Sequence, residues 1–213
     1  MRIAITQRIV YDPDHGERRD ALAGDWHRFL LAVWPVAVIV PVPNRPDHAA
    51  RLLAAVAADA LILTGGNDVG SEPERDLTEA SCLQYAAGHG LPVLGICRGL
   101  QLLATLGGGR VVPTDRAAHV ATRHPVHCLA DTDWGWVAGR TLEVNSFHGL
   151  AVPADGLPQS WIALASSPDG GIEAARSGDG RCVAVMWHPE REATPDPLDV
   201  ALFRRHLTKG AAP

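Results

Sequence analysis

Strand-like apolar runs alternate with helical patterns through the first half of the chain. Apolar runs of strand length stand at 3–6, 36–40, 60–63 and 93–96. A segment with helical periodicity follows each run, at about 17–33, 47–57, 76–89 and 98–106. This alternation is typical of parallel strands joined by helices. We therefore predict an α/β fold in three α/β/α layers, with a central, mostly parallel sheet.

The second half of the chain has a different pattern. Short strand-like segments are separated by turns rich in Gly, Pro and Asp, and they stand at 124–129, 140–144, 161–165, 171–175 and 181–187. They predict a small antiparallel extension of the sheet, followed by a closing helix at 195–208 and a frayed tail at 209–213. A chain of 213 residues, 46% of them apolar, has the size of one domain, which we expect to span residues 1–213.

Charge and composition narrow the choice of partners. The net charge is -5 and the sequence has no Lys/Arg cluster, which argues against nucleic acid or an anionic membrane as the partner. We therefore expect a small-molecule ligand. The chain enters its first strand without a signal-peptide pattern, has no apolar run of about 18 residues, and carries four scattered cysteines. These features predict a cytoplasmic protein without a membrane segment.

Cys97 stands where a strand-like run changes into a helical pattern. The run Val93–Ile96 ends one residue before it, and Leu100 begins the apolar face of the helix. Gly95 and Gly99 leave room for a sharp turn and for a substrate to approach the sulfur. A helix that begins here directs its free N–H groups and its positive dipole end at the sulfur, which favours the thiolate. Cys97 is therefore a candidate nucleophile.

A histidine and a carboxylate follow the strand-like run at 183–187. His188 and Glu190 are two residues apart, so an extended segment projects both to one side and the carboxylate can orient the imidazole. Such a pair alone is usually a surface pair, and an isolated cysteine is usually a small core residue, as we expect for Cys82, Cys128 and Cys182. The combination with Cys97 instead predicts a Cys-His-Glu triad.

Four ordered motifs resemble those of the class I glutamine amidotransferase superfamily. They are Leu63-Thr64-Gly65-Gly66-Asn67-Asp68-Val69, Gly95-Ile96-Cys97-Arg98-Gly99-Leu100-Gln101, Asn145-Ser146-Phe147-His148 and Trp187-His188-Pro189-Glu190. Over roughly residues 1–190 the chain most resembles the stand-alone gamma-glutamyl hydrolases of the gamma-glutamyl-GABA hydrolase type. The resemblance implies the flavodoxin-like fold of the superfamily and a hydrolase that acts on amide bonds and uses no cofactor.

The resemblance also implies a role for each matching residue. Cys97 is the nucleophile, His188 is the general base and then the acid, and Glu190 orients His188. The backbone N–H groups of Gly66 and Arg98 form the oxyanion hole. The implied substrate-binding residues are Gly65, Gln101, Ser146, Phe147 and His148.

The reaction implied by these roles is the hydrolysis of a gamma-glutamyl amide through a thioester intermediate. The thiolate attacks the gamma-carbonyl, His188 protonates the leaving amine, and water then releases glutamate. Two alternatives stay open: a glutaminase subunit that supplies ammonia to a separate synthetase, and a sensor or binding protein whose triad is vestigial. Formation of a homodimer is also left open.

Three histidines suggest a metal site, since imidazole is a common zinc ligand. They are His119, His124 and His127, but on a strand the last two face opposite sides, and the neighbouring Cys128 is not at a recognised ligand spacing. We therefore expect no metal site and favour a structural or substrate-lining role for these histidines.

The segment Glu17-Arg18-Arg19-Asp20 allows two interpretations. We favour a solvated helix start, because charged residues usually face water. In the alternative, Arg18 or Arg19 lies over the active site and binds a phosphate or carboxylate of the substrate. This segment, together with Ile5-Thr6-Gln7-Arg8, also resembles gamma-glutamyl-CDP-amidate hydrolases, whose substrate carries such an anion.

Overall fold

Five parallel strands form one half of the main sheet. In a computed structural model of the protein, which describes residues 1–208, these strands follow the order β4, β1, β5, β6 and β13. Their bounds are Val38–Val42, Arg2–Thr6, Ala60–Leu63, Val93–Ile96 and Cys182–Val185, respectively. The tail at 209–213, for which the sequence predicts fraying, lies outside the described residues.

Helices cover both faces of the parallel strands. Their bounds are Gly24–Val33 (α1), Pro46–Ala55 (α2), Pro73–His89 (α3), Arg98–Leu106 (α4), Arg116–His119 (α5) and Pro197–Leu207 (α6). Ile3 and Ile5 of β1 belong to one buried cluster with residues of α1 and α6, whereas Ala4 belongs to the opposite cluster with residues of α2, α3 and α4. The predicted three-layer α/β/α fold is thus confirmed. Within residues 1–208, no helix has both the length and the apolar composition that a membrane crossing requires.

Antiparallel strands continue the same sheet beyond β13. They follow the order β12, β11, β8 and β9, with the bounds Gly171–Ser177, Trp161–Ser166, Val120–Cys128 and Thr141–Phe147. Two short strands, Val112–Pro113 (β7) and Leu150–Pro153 (β10), join the sheet through β12. A bulge interrupts the pairing of β8 with β9 at Ala121, whose φ is 56°. The predicted antiparallel extension is confirmed, and the bulge changes which side chains of β8 share a face.

The helix predicted at 17–33 is wrong in its first part. Residues Arg8–Asp12 (β2) and Glu17–Ala21 (β3) form an antiparallel hairpin, and helix α1 begins only at Gly24. The turn of the hairpin is held by the side chain of Asp12, which accepts hydrogen bonds from two backbone N–H groups. Exposed charged side chains are compatible with a helix or a strand, so this turn and the cross-strand ion pair of Arg19 with Asp12 favour the hairpin.

The carboxyl ends of three neighbouring parallel strands lie at one edge of the sheet. Strand β6 lies between β5 and β13, with Leu63 beside Gly95 and Val185 beside Ile96. Loops that follow parallel strands gather at this edge in α/β folds. The predicted site residues that follow the three strands are Gly65, Gly66, Cys97, His188 and Glu190, and the topology therefore brings them together.

Candidate active site

Cys97 occupies the one residue between β6 and α4. Its φ and ψ are 53° and −104°, a conformation that residues other than glycine rarely adopt. Its N–H donates to Val185 O at 2.7 Å, which ties the turn to β13. A Cβ at Gly95 would lie 2.9 Å from the backbone of Gly99, and a Cβ at Gly99 would lie 2.7 Å from Leu63 O. Glycine is therefore required on both sides of this turn.

The imidazole of His188 lies between Cys97 and Glu190. Its Nδ1 is 2.7 Å from Glu190 Oε1. Its Nε2 lies beside Cys97, since His188 Nε2 and Cys97 Cβ would each be 3.5 Å from a Cβ at Gly65. The three residues are only 2–6% exposed. Burial lowers the pKa of His188, but the negative charges of Cys97 and Glu190 outweigh burial and raise the pKa to about 9. The arrangement therefore favours a protonated His188 imidazole at neutral pH.

The Gly65-Gly66 loop after β5 lies against the side chains of His188 and Cys97. A Cβ at Gly65 would lie 2.7 Å from His188 Cε1 and 3.5 Å from Cys97 Cβ. The carbonyl oxygen of Gly65 accepts from Arg75 Nη2 at 3.1 Å. Because the C=O and the following N–H of a trans peptide point in opposite directions, the N–H of Gly66 is directed away from Arg75. This orientation fits the predicted oxyanion donor.

Two buried arginines hold the loop and the start of α4, a role that the sequence analysis did not identify. Arg75 is fully buried and donates hydrogen bonds to the three carbonyl groups of residues 64–66 at 2.7–3.1 Å. Its Nε pairs with Glu79 at 3.2 Å, and Glu79 also pairs with Arg98. The N–H of Arg98 is the first of α4, so it has no acceptor within the helix and stays a candidate oxyanion donor. The spacing of Arg75 and Glu79, four residues apart on a helix, could have indicated this pair.

Asn145 and Phe147 of β9 hold His188 from the other side. The Asn145 side chain accepts from His188 N at 2.9 Å and donates to His188 O at 2.8 Å. The Phe147 ring meets the His188 ring edge-on at 5.7 Å between centroids, and it is 38% exposed. Ser146, between them, is fully buried and donates to His119 O at 2.7 Å. Of the predicted substrate-binding residues in this motif, Phe147 therefore lies beside the triad, whereas Ser146 supports the backbone.

Gln101 and His148, which the resemblance assigns to the substrate, share one backbone acceptor. Gln101 Nε2 donates to Leu150 O at 2.9 Å, and His148 Nδ1 lies 3.1 Å from the same oxygen. Each residue is only 3% exposed. His148 lies in a buried cluster with His119, His124 and Glu173. His127, which the sequence analysis grouped with two of these histidines, is exposed and hydrogen-bonds Thr141.

Arg18 and Arg19 lie on β3 and pair with carboxylates of the protein itself. Arg18 pairs with Glu74 at 2.5 Å, and Arg19 pairs with two carboxylates of the hairpin. The arginine of the hairpin that contacts the Gly65-Gly66 loop is Arg8, whose Nε would lie 3.1 Å from a Cβ at Gly66. In the hairpin, Arg18 and Arg19 stand two to three positions further out than Arg8, or about 7–10 Å. Sequence analysis missed Arg8 as a candidate because it assigned residues 17–33 to a helix and so did not predict the hairpin that begins at Arg8.

Similar proteins exist over most of the chain. Residues 3–190 match the family described as Peptidase C26. A gamma-glutamyl-CDP-amidate hydrolase of Campylobacter jejuni is 29% identical over 201 residues, which cover 90% of this chain and 91% of that protein. A protein of Mycobacterium tuberculosis that is provisionally named a glutamine amidotransferase is 32% identical over an alignment of 209 residues, and the alignment covers 86% of this chain. The match spans only 65% of the length of that relative.

A solved structure agrees with the fold. The crystal structure of a Thermoplasma acidophilum protein, provisionally named as one of the subunits of GMP synthase, superposes with a TM-score of 0.71 and covers 97% of this chain and 92% of that one. At 22% identity this likeness shows the fold alone. The family match over residues 3–190 shows, in addition to the fold, the family to which the chain belongs. By that match the chain belongs to the peptidase C26 family and is similar to the class I glutamine amidotransferases, a group of hydrolases and amidotransferases that act on amide bonds.

Proposed function

We propose that the protein hydrolyses the amide bond of a small gamma-glutamyl compound through a thioester at Cys97. The observation that carries this proposal is the position of the His188 imidazole, which lies beside Cys97 under Gly65 and 2.7 Å from Glu190. A nucleophile, a base and a carboxylate that orients the base are the groups that acyl transfer requires. A sensor with a vestigial triad would have no need to keep these three side chains in contact.

The proposed reaction has two halves with the same proton carrier. The Cys97 thiolate attacks the gamma-carbonyl carbon, and the N–H groups of Gly66 and Arg98 stabilise the oxyanion. His188 gives its proton to the leaving nitrogen as the C–N bond breaks, which leaves a gamma-glutamyl thioester. Neutral His188 then takes a proton from water, the hydroxide attacks the thioester, and glutamate leaves with recovery of the thiolate and the imidazolium.

A phosphorylated leaving group is the substrate class that we favour. The similar protein of Campylobacter jejuni, which matches this chain over 91% of its own length, is named a gamma-glutamyl-CDP-amidate hydrolase. Arg8 is exposed beside Gly66 and takes part in no ion pair within residues 1–208. A free guanidinium can bind a phosphate through paired hydrogen bonds. Arg8 therefore suits this role better than Arg18 or Arg19, which already pair with carboxylates.

A second candidate function is that of a glutaminase which supplies ammonia to a separate synthetase. The provisional name of the Mycobacterium tuberculosis protein, a glutamine amidotransferase, favours it. Such a glutaminase uses the same triad, so the geometry at Cys97 is compatible with both functions. The substrate is what separates them.

The test is glutamate release from a panel of glutamine, gamma-glutamyl-GABA and gamma-glutamyl-CDP-amidate, with Cys97→Ala as the inactive control. We expect rapid, Cys97-dependent turnover of the phosphorylated compound. Arg8→Ala should raise its KM about tenfold or more, as loss of a charge-assisted hydrogen bond does, and Arg19→Ala should not. A larger effect of Arg19→Ala would reverse the assignment of the anion site. Slow cleavage of glutamine alone, stimulated by a copurified synthetase, would establish the second function instead.

A further inference from the structure

Three histidines and a glutamate converge in a buried cluster outside the candidate triad. They come from four separate segments: His119 ends α5, His124 lies on β8, His148 follows β9, and Glu173 lies on β12. Their relative exposures are only 1–8%. One potential ligand atom from each of them lies within 4.8 Å of all the others. Buried polar side chains need partners, so this convergence requires an explanation.

The outward hydrogen bonds of the three imidazoles fix which nitrogen faces the cluster. Each ring has one nitrogen that hydrogen-bonds an oxygen outside the cluster, at a nitrogen–oxygen distance of 2.8–3.1 Å. The oxygens are Asp169 Oδ2 for His119, Pro125 O for His124 and Leu150 O for His148. These oxygens accept, so the nitrogen beside each of them carries the hydrogen, and the other nitrogen of a neutral ring is a lone pair. The three inward nitrogens are His119 Nδ1, His124 Nε2 and His148 Nε2, and within residues 1–208 they have no hydrogen-bond partner.

The inward atoms of the cluster are all electron donors. Glu173 adds a carboxylate, and its Oε2 also lacks a hydrogen-bond partner within residues 1–208. His148 Nε2 and His124 Nε2 lie 3.4 and 3.8 Å from Glu173 Oε1, which is beyond a good hydrogen bond. One added proton would satisfy one of these nitrogens and leave the other two unpaired. A cation at the centre would satisfy all four side chains at once.

The distances also suit a tetrahedral ion. With metal–ligand bonds of about 2.1 Å, the ligand atoms of a tetrahedral site lie about 3.4 Å apart. The separations of 3.4 and 3.8 Å from Glu173 are close to that value, and the widest pair, within 4.8 Å, closes by rotation of the side chains. Histidine rings that bind a metal commonly donate their other N–H to a carboxylate or a carbonyl oxygen, as all three rings do here.

We propose that His119, His124, His148 and Glu173 bind a divalent transition-metal ion, zinc by preference, in a structural site. Imidazole nitrogens with one carboxylate are ligands that zinc accepts, and four protein ligands in a buried setting are typical of a structural site. The site joins α5, β8 and β12 to the end of β9, the strand that carries Asn145 and Phe147 against His188. The ion therefore stabilises the part of the fold that holds the candidate base. This proposal replaces the expectation, drawn from the sequence, that no metal site is present.

The test is the metal content of full-length protein purified without a histidine tag. Elemental analysis should find about one zinc per chain in the wild type and in His127→Ala, the exposed neighbour on the same strand. His124→Ala and Glu173→Gln should lose it. After chelation, zinc should raise the melting temperature of the wild type and of His127→Ala but not of the two ligand variants. Cobalt should give the visible absorption of a tetrahedral site.

Two results would overturn the proposal. One is chelated wild-type protein that takes up no zinc, cobalt or manganese and whose melting temperature none of these ions changes. The other is a result in which Glu173→Gln and His124→Ala bind the metal as tightly as the wild type does. Glu173→Gln keeps the shape of the side chain, so it tests binding even if His124→Ala fails to fold. Glutamate release is not the readout, so the outcome is independent of the proposed hydrolase activity.

Discussion

The side chain of Asn145 hydrogen-bonds both the N–H and the C=O of the His188 backbone. The amide oxygen of Asn145 accepts from His188 N at 2.9 Å, and the amide nitrogen donates to His188 O at 2.8 Å. These two hydrogen bonds link β9 to the segment that follows β13. Strands β9 and β13 are not neighbours in the sheet. His188 is therefore positioned by its backbone through Asn145 and by its ring through Glu190.

Replacement of Asn145 tests whether this link positions the base. Asn145→Ala removes both hydrogen bonds to the His188 backbone and leaves the side chains of His188, Glu190 and Cys97 chemically unchanged. A misplacement of about 1 Å can lower a rate about 100-fold. We therefore expect a kcat at least tenfold lower with little change in KM, measured as glutamate release. A variant with wild-type kcat would show that Asn145 has no role in positioning.

The raised pKa of His188 predicts how stability depends on pH. Burial lowers this pKa, but the charges of Cys97 and Glu190 raise it to about 9, above its ordinary value of about 6.5. The contribution of His188 to stability is thus complete below about pH 6.5 and is lost as the pH rises through about 9. In urea unfolding at several pH values, this loss should be smaller in Glu190→Gln. Equal slopes for the variant and the wild type would contradict the assigned role of Glu190.

Replacement of Gly65 by alanine should give a folded protein with impaired catalysis. A Cβ at Gly65 would lie 2.7 Å from His188 Cε1, so Gly65→Ala must displace the imidazole or the loop. We expect a large loss of kcat in Gly65→Ala. The matched control is Gly88→Ala, because Gly88 is in α3 with no atom within 4 Å of an added Cβ. The control should keep full activity and gain about 0.5–1 kcal/mol of stability.

Arg75 is expected to be essential for stability. It is fully buried and donates to three carbonyl groups and to Glu79, so Arg75→Met removes the donor of all three carbonyl groups and leaves Glu79 with only Arg98 as an ion-pair partner. Removal of one partner of a buried ion pair costs about 3–5 kcal/mol. The exposed pair of Arg110 and Asp155 provides the control, since Arg110→Met should leave the free energy of unfolding almost unchanged. Similar losses in both variants, measured by urea unfolding, would rule out a special role for Arg75.

The fold around Cys97 could be predicted because short-range signals specify it. The apolar run of β6 and the helical pattern of α4 predict the first and last residues of both elements correctly, with Cys97 between them. The closing helix was also predicted, and α6 spans 197–207 within the predicted 195–208. In these segments the pattern of burial and the local geometry indicate the same structure.

Other parts of the site depend on contacts between distant residues. His148 and Glu173 join His119 across 29 and 54 positions, and no periodicity in the sequence indicates this. The bulge at Ala121 also changes the alternation of β8 between His119 and His124. The hairpin that places Arg8 beside Gly66 was missed because exposed charged residues are compatible with a helix or a strand. Sequence patterns do not record such long-range contacts or irregular pairings.

The most direct test of the central claim is to trap the acyl intermediate. The protein would be mixed with its best gamma-glutamyl substrate, quenched with acid within the first turnover, and analysed by intact mass and peptide mapping. We predict a mass increase of one gamma-glutamyl group, located on Cys97 and absent from Cys97→Ala. Turnover of the substrate with no adduct on Cys97, or with unchanged activity in Cys97→Ala, would contradict the thioester mechanism.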